Sequence, residues 1–425
     1  MDVGKRLRKF RTARGLSQSE LAAPVFTHAY VSSIESGRRA ASRRALEHFA
    51  SKLELEVDEL LTGRPAGLAP RLELELQEAR RLVSSGEVAE ATKVYDRVSR
   101  EAKRYGEKRL EAYAEEGKAL CAERGGRLED AIDLCEAAQE LLREESPTAR
   151  APIVARLARC LHQRGDTRYA IYLLEALIVE LKHEELNDPG ALVLLYGPLA
   201  LACFEAGLYN QADSAAKEAL RLAGRTTNSL SVAMMYVNVA RVQLNKKLYD
   251  DAEASLTKAE ALFRELDLHT EMGVARLAHG FVLARKGETD EAEFQLTAAS
   301  EIFETTKSPL NQAHALNELG RLRRERGDLD RARKLLRRSI GLVEGESDPR
   351  VMAYAHRELG RSYFDDDVAL AEKNLRAAAE LYERHGEKLE LAVTYGDLGD
   401  LLGKQADHAG CDSYRQAVAT IREIL

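Results

Sequence analysis

Apolar residues recur along nearly the whole chain at the three- and four-residue offsets of an amphipathic helix. Near the start, Val3, Leu7 and Phe10 mark one short helix, which Gly15 ends. Ser17 is placed as an N-cap, and Glu20, three residues on, completes a capping box. The helix begun there turns Leu21 and Ala22 inward and stops at Pro24. Thr27 is positioned to cap a third helix, His28 to Glu35, which Ser36 and Gly37 end. Leu46, Phe49, Ala50 and Leu53 predict a fourth helix, and Val57, Leu60 and Leu61 a short fifth. Residues 1–61 therefore read as a small all-helical domain. TGRPAGLAP (62–70) concentrates Gly and Pro and reads as a short, semi-stiff linker.

From residue 71 to 425 the sequence repeats itself about every 40 residues. A small residue falls at Ala79, Ala119, Ala158, Ala200, Ala240, Gly280, Gly320, Gly360 and Gly399. A second column follows eleven or twelve residues later: Ala91, Ala131, Ala170, Ala212, Ala252, Ala292, Ala332, Ala371 and Cys411. A third, mostly small, comes seven further on and ends at Ala378 and Val418. Between the first two columns lie turns such as SSGE, RGDT, AGLY and KGET. Small residues let two helices approach closely, and Gly supplies the backbone freedom of a tight reversal. The pattern predicts nine helical hairpins stacked side by side.

The segments LSQSELA, YVSSIESG, RRAAS and LEVDELL together resemble the lambda-repressor-like (XRE) helix-turn-helix family over residues 4–61. The connection between the two central helices is about one residue short, and Ala41 stands where the family usually has Pro. The resemblance implies that the helix capped by Thr27 enters the major groove of duplex DNA. His28, Ala29 and Ser33 are then the candidates for base readout, on the edge that Thr27 begins. Gln18, at the start of the preceding helix, would donate to phosphate. Tyr30, Arg38, Arg39 and Arg43 are candidates for further phosphate contacts. Leu21, Val31, Ile34, Leu46 and Phe49 are expected in the core, and Arg11 and Glu35 as an internal ion pair.

The columns resemble tetratricopeptide repeats, so the expected fold is all-α: a helix-turn-helix head followed by a right-handed superhelical solenoid. The first helix of each hairpin would line its concave face. The residue just after the first column is Arg at 80, 159, 241, 321 and 361. Arg presents a planar fork to carboxylates, and Asn can bond a peptide backbone on both sides. The candidate ligand residues of the groove are thus Arg159, Asn238, Arg241, His314, Asn317, Arg321, Tyr354, Arg357 and Arg361. The whole layout resembles RRNPP-type peptide-responsive regulators of bacteria. That implies a homodimer built through the repeats, a palindromic double-stranded DNA operator and a signalling peptide in the groove. An alternative is an adaptor that holds a protein partner in the groove and tethers it to DNA.

Charge sharpens this picture. The 425 residues carry a net charge of −7. Residues 1–52 hold eleven Lys/Arg against four Asp/Glu, or +7, which leaves −14 for the rest. A basic head on an acidic body suits local contact with a polyanion. Ala, Leu, Glu and Arg dominate and Trp is absent, as expected of a helical chain. No apolar run is long enough for a membrane span, and MDVGKRLRKF lacks a signal-peptide core, so a cytoplasmic location is expected. The five cysteines form no C-x-x-C pair and are expected to be small buried hydrophobes. No enzyme motif holds: Ser255-x-x-Lys258 lies within a repeat helix without its partner motifs, and Asp365–Asp367 sits in a repeat turn. No cofactor and no metal site is expected.

Overall fold

The computed structural model describes residues 3–183, 188–344, 349–404 and 408–422. Among them are 23 helices and no strand. Five form the head: α1 (Val3–Ala13), α2 (Gln18–Ala22), α3 (His28–Glu35), α4 (Arg43–Lys52) and α5 (Val57–Thr62). Their starts are set by side chains. Ser17 and Glu20 close the capping box on α2, Thr27 caps α3, and Ser42 caps α4. Leu7, Leu21, Val31, Ile34, Leu46, Phe49, Leu53 and Leu60 meet in one core. Gly4 is required where α1 crosses α3, because a Cβ there would lie 2.0 Å from the Ile34 carbonyl oxygen.

Nine hairpins follow. The first three are α6 (Leu68–Ser84) with α7 (Val88–Tyr105), α8 (Lys108–Arg124) with α9 (Leu128–Leu141), and α10 (Pro147–Arg164) with α11 (Thr167–His183). The next three are α12 (Pro189–Glu205) with α13 (Tyr209–Ala223), α14 (Ser229–Asn245) with α15 (Tyr249–Glu265), and α16 (His269–Lys286) with α17 (Thr289–Thr305). The last are α18 (Pro309–Glu325) with α19 (Leu329–Val343), α20 (Pro349–Arg361) with α21 (Val368–Arg384), and α22 (Lys388–Gly403) with α23 (His408–Arg422).

The small columns mark where a partner helix presses in. A Cβ on Gly280 would lie 2.5 Å from Leu296 Cγ, and one on Gly320 2.7 Å from Leu336 Cγ. In the last hairpin the register differs by one residue from the expected Cys411 and Val418. Gly410 is the buried small residue, with Gly403 N 2.8 Å from where its Cβ would be, and Ala417 follows it at 8% exposure. Cys411 is exposed, unlike the buried Cys121, Cys135, Cys160 and Cys203.

The segment joining head and array is shorter than the nine-residue linker expected. Thr62 belongs to α5 and Leu68–Pro70 to α6, which leaves only residues 63–67 between helices. Arg64 within it pairs with Glu107 at 2.6 Å. Further on, the stack comes round on itself, and α6 touches α16. No helix among the described residues is long and apolar enough to cross a membrane.

Candidate nucleic-acid interface and repeat groove

In the head, α3 is fixed from behind. Val31, Ile34 and Glu35 are buried, and Arg11 grips the Glu35 carboxylate with Nε at 2.6 Å and Nη2 at 3.0 Å. Burial alone would push the Glu35 carboxyl up, but Arg11 and Gln18 outweigh it and hold the group below the usual carboxylate range. The opposite edge is open. His28 and Ala29 are exposed at the N-terminal end of α3. Thr27 Oγ1 accepts from Tyr30 N at 3.3 Å and is occupied as the cap. Ser33 is half-buried and its hydroxyl donates to the Tyr30 carbonyl at 2.7 Å.

The basic candidates flank this edge. Arg39 lies over the Tyr30 ring, 4.8 Å from its centroid, and Phe26 stacks on that ring at 5.0 Å. Arg38 donates to Ser36 Oγ at 2.9 Å. Arg43 opens α4, its side chain 92% exposed. Gln18 is half-buried at the start of α2. Its Nε2 donates to Glu35 Oε2 at 2.8 Å, so its amide completes the buried Arg11–Glu35 pair.

The groove candidates are brought into three separate networks rather than one free site, and their arginines are already paired. Arg159 reaches Glu123 at 2.6 Å, beside Arg156, which holds both Glu116 at 2.7 Å and Glu123 at 2.9 Å. Burial raises Glu123, whereas for Glu116 the opposing pull of Arg156 and Arg80 outweighs burial and lowers it. Arg241 pairs with Glu205 at 3.0 Å, which His162 also touches at 2.7 Å. Asn238, half-buried, lies against Gly197, where a Cβ would sit 3.4 Å from its Nδ2.

The third network runs across α18, α20 and α22. Arg321 pairs with Glu318 and Glu325, both at 2.8 Å, and Tyr354 donates to Glu318 at 3.0 Å. Arg357 reaches Asp397 at 2.6 Å, and Arg361 pairs with Glu358 at 3.2 Å. Asn317 is buried and donates Nδ2 to the Val351 carbonyl at 2.9 Å, which joins α18 to α20; its Oδ1 is unpartnered. One of the two Nδ2 hydrogens is thus engaged with the backbone, which leaves Oδ1 and the second N–H as the groups a peptide could meet. His314 is half-buried on the same helix.

The acids that neutralise these arginines were missed by the sequence reading. Glu318 and Glu358 are 4% and 1% exposed. A signal existed: each lies three residues before its Arg, a spacing that puts both on one helix face.

Residues 2–62 match the family described as a helix-turn-helix domain, and residues 271–344 match the tetratricopeptide repeat. No curated protein matches the chain by sequence. Among solved structures, the apo quorum sensor NprR from B. thuringiensis is similar, with TM-score 0.57 and 16% identity over 83% of this chain and 99% of that one. The apo form of RapI has TM-score 0.54 and 15% identity over 83% and 98% of the two chains. A Rap protein complexed with Competence and Sporulation Factor has TM-score 0.51 and 15% identity over 79% and 99%. At such identities the likeness is one of fold. The chain is a helix-turn-helix head followed by a tetratricopeptide-type helical solenoid.

Proposed function

We propose that this chain is a transcription regulator whose head binds double-stranded DNA and whose repeats sense a ligand, a signalling peptide by preference. The observation that carries the reading is the built edge of α3. Its buried face is locked by Arg11 and Glu35, while His28 and Ala29 project outward beside Arg38, Arg39 and Arg43. Cations at that edge would position the duplex through its phosphates, and His28 and Ala29 would read base edges. Two copies, joined through the repeats, would present two heads to a palindromic operator.

The groove supports a ligand role of a particular kind. Its arginines are paired with internal carboxylates, so an incoming carboxylate has to displace one. A ligand that carries both an acid and a base can exchange one ion pair for another. The described quorum sensor NprR and the Rap complex with Competence and Sporulation Factor share this repeat fold, which favours a sensor over an adaptor.

The test is fluorescence anisotropy of the full chain on duplexes from its own upstream region, at stepped salt, with and without culture extract. Salt-sensitive binding that prefers one duplex supports the regulator. His28→Ala is expected to change preference at one base pair by about 1–3 kcal/mol. Absence of salt-sensitive binding to any duplex removes the reading. Binding that no extract alters removes the sensor half, and a stoichiometric protein in a pull-down replaces it with the adaptor.

A further inference from the structure

The turn between α6 and α7 is docked against a distant part of the chain. Ser84, the last residue of α6, is fully buried. Its Oγ accepts from the Thr270 amide at 3.1 Å, across 186 residues. Its carbonyl accepts from the Thr270 hydroxyl, and its own hydroxyl donates to Glu271. The N-cap position of α16 is Leu268, which provides no side-chain cap. The exposed-amide problem of that helix end is thus solved by a serine from the first hairpin.

Two further contacts close the same seam. Arg124, at the end of α8, pairs with Glu271 at 2.8 Å. Gly86 sits on the end of α17: a Cβ there would lie 2.3 Å from the Thr306 carbonyl oxygen. Glu87 and Lys307 face each other at 3.7 Å beside it. The equivalent turn glycines of later hairpins, Gly207, Gly287 and Gly327, also have positive φ, yet a Cβ on any of them would meet nothing within 4 Å. The hydrophobic clusters stay apart. The cluster of the first hairpin ends at Cys121, and those around α16 begin at Ala233 and Leu277. The seam is therefore held by polar groups, which water can replace far more readily than it can a packed apolar core.

We propose that Ser84, Arg124 and Glu271, with Gly86 seated on Thr306, form a latch that holds the solenoid closed on itself after one turn. Its opening changes the pitch of the array. It also moves the head, because the head is joined directly to α6 and tied to the start of α8 through Arg64 and Glu107. The device goes beyond the proposed function and needs neither DNA nor ligand.

The experiment uses the full chain without either. Gly86→Ala forces the seam apart, while Gly287→Ala places the same change at φ +91 rather than φ +89 with open space around it. Ser84→Ala removes the cap without backbone strain. Small-angle scattering is expected to report a larger radius of gyration for Gly86→Ala than for Gly287→Ala. Amide exchange at Thr270 is expected to rise about tenfold in Ser84→Ala, the factor set by the loss of one buried hydrogen bond. Exchange at Thr270 unchanged in Ser84→Ala overturns the latch. So does a Gly287→Ala chain that expands as much as Gly86→Ala. Should Gly86→Ala fail to fold, the Thr270 amide in Ser84→Ala decides alone.

Discussion

Two arginines of the head, Arg43 and Arg11, should behave in opposite ways when each is replaced by alanine. The Arg43 side chain is 92% exposed and held only by an exposed pair with Glu47 at 3.2 Å, so it is free to turn to a phosphate. Each phosphate contact contributes about −0.9 to the slope of log K against log salt. Losing one makes the affinity drop between about 50 and 200 mM salt smaller by roughly 3.5-fold, since a fourfold salt change raised to 0.9 gives that factor. Arg11 is different. Its side chain is 11% exposed, it forks onto Glu35, and Nη1 donates to the Leu16 carbonyl at 2.7 Å. Removing it strands a buried carboxylate and should cost the head about 3 kcal/mol. The salt slope of the molecules still folded stays the same. Anisotropy titrations at stepped salt, paired with thermal melts of each variant, separate the two. An unchanged slope for Arg43→Ala, or a flattened slope for a fully folded Arg11→Ala, refutes the division between phosphate contact and scaffold.

Two glycines in the array should give changes of opposite sign. Gly320→Ala forces a Cβ to 2.7 Å from Leu336 Cγ and is expected to destabilise α18 and α19 by about 1–3 kcal/mol. Gly396→Ala meets nothing within 4 Å inside α22 and is expected to stabilise it by about 0.5–1 kcal/mol. Because repeat arrays need not unfold in one step, local hydrogen exchange is the measure, and two changes of the same sign contradict the packing account. A further expectation concerns acid. Glu35 has a carboxyl lowered from 4.5 on folding, so its contribution is present above that value and is lost as pH falls through the lower folded one. Glu35→Gln should remove that part of the acid limb in a circular-dichroism titration, and an unaltered limb argues against the Arg11 and Gln18 contacts.

The parts of the fold that were legible in the sequence rest on local offsets. Ser17 with Glu20 and Thr27 with Tyr30 are three residues apart, and the structure places each as a cap. Arg11 with Glu35 was legible through the head's resemblance to a known domain, and the pair is present. In the last hairpin Gly410 and Cys411 are both small, so composition could not choose between them; the close approach of Gly410 to the Gly403 backbone does. In the groove, the arginine spacing was visible, but Arg357 finds its acid 40 residues away on the next hairpin. Such a pairing depends on how far each hairpin is rotated from the last. The meeting of Ser84 with Thr270 depends on that rotation summed over five hairpins, and no periodicity announces it.

If the head binds DNA as proposed, the five-residue join between α5 and α6 would limit which operators a dimer of this chain could recognise. Fully extended, it reaches about 17 Å, and the Arg64–Glu107 pair shortens it. A helical turn of DNA spans about 34–36 Å. Two heads of a dimer on such short leashes would follow an insertion of a base pair or so between half-sites, but not half a turn, which would carry one half-site to the far side of the duplex. On the proposed function, such a dimer would act as a gauge of distance along DNA, calibrated in the solenoid rather than in the helices that would touch the bases.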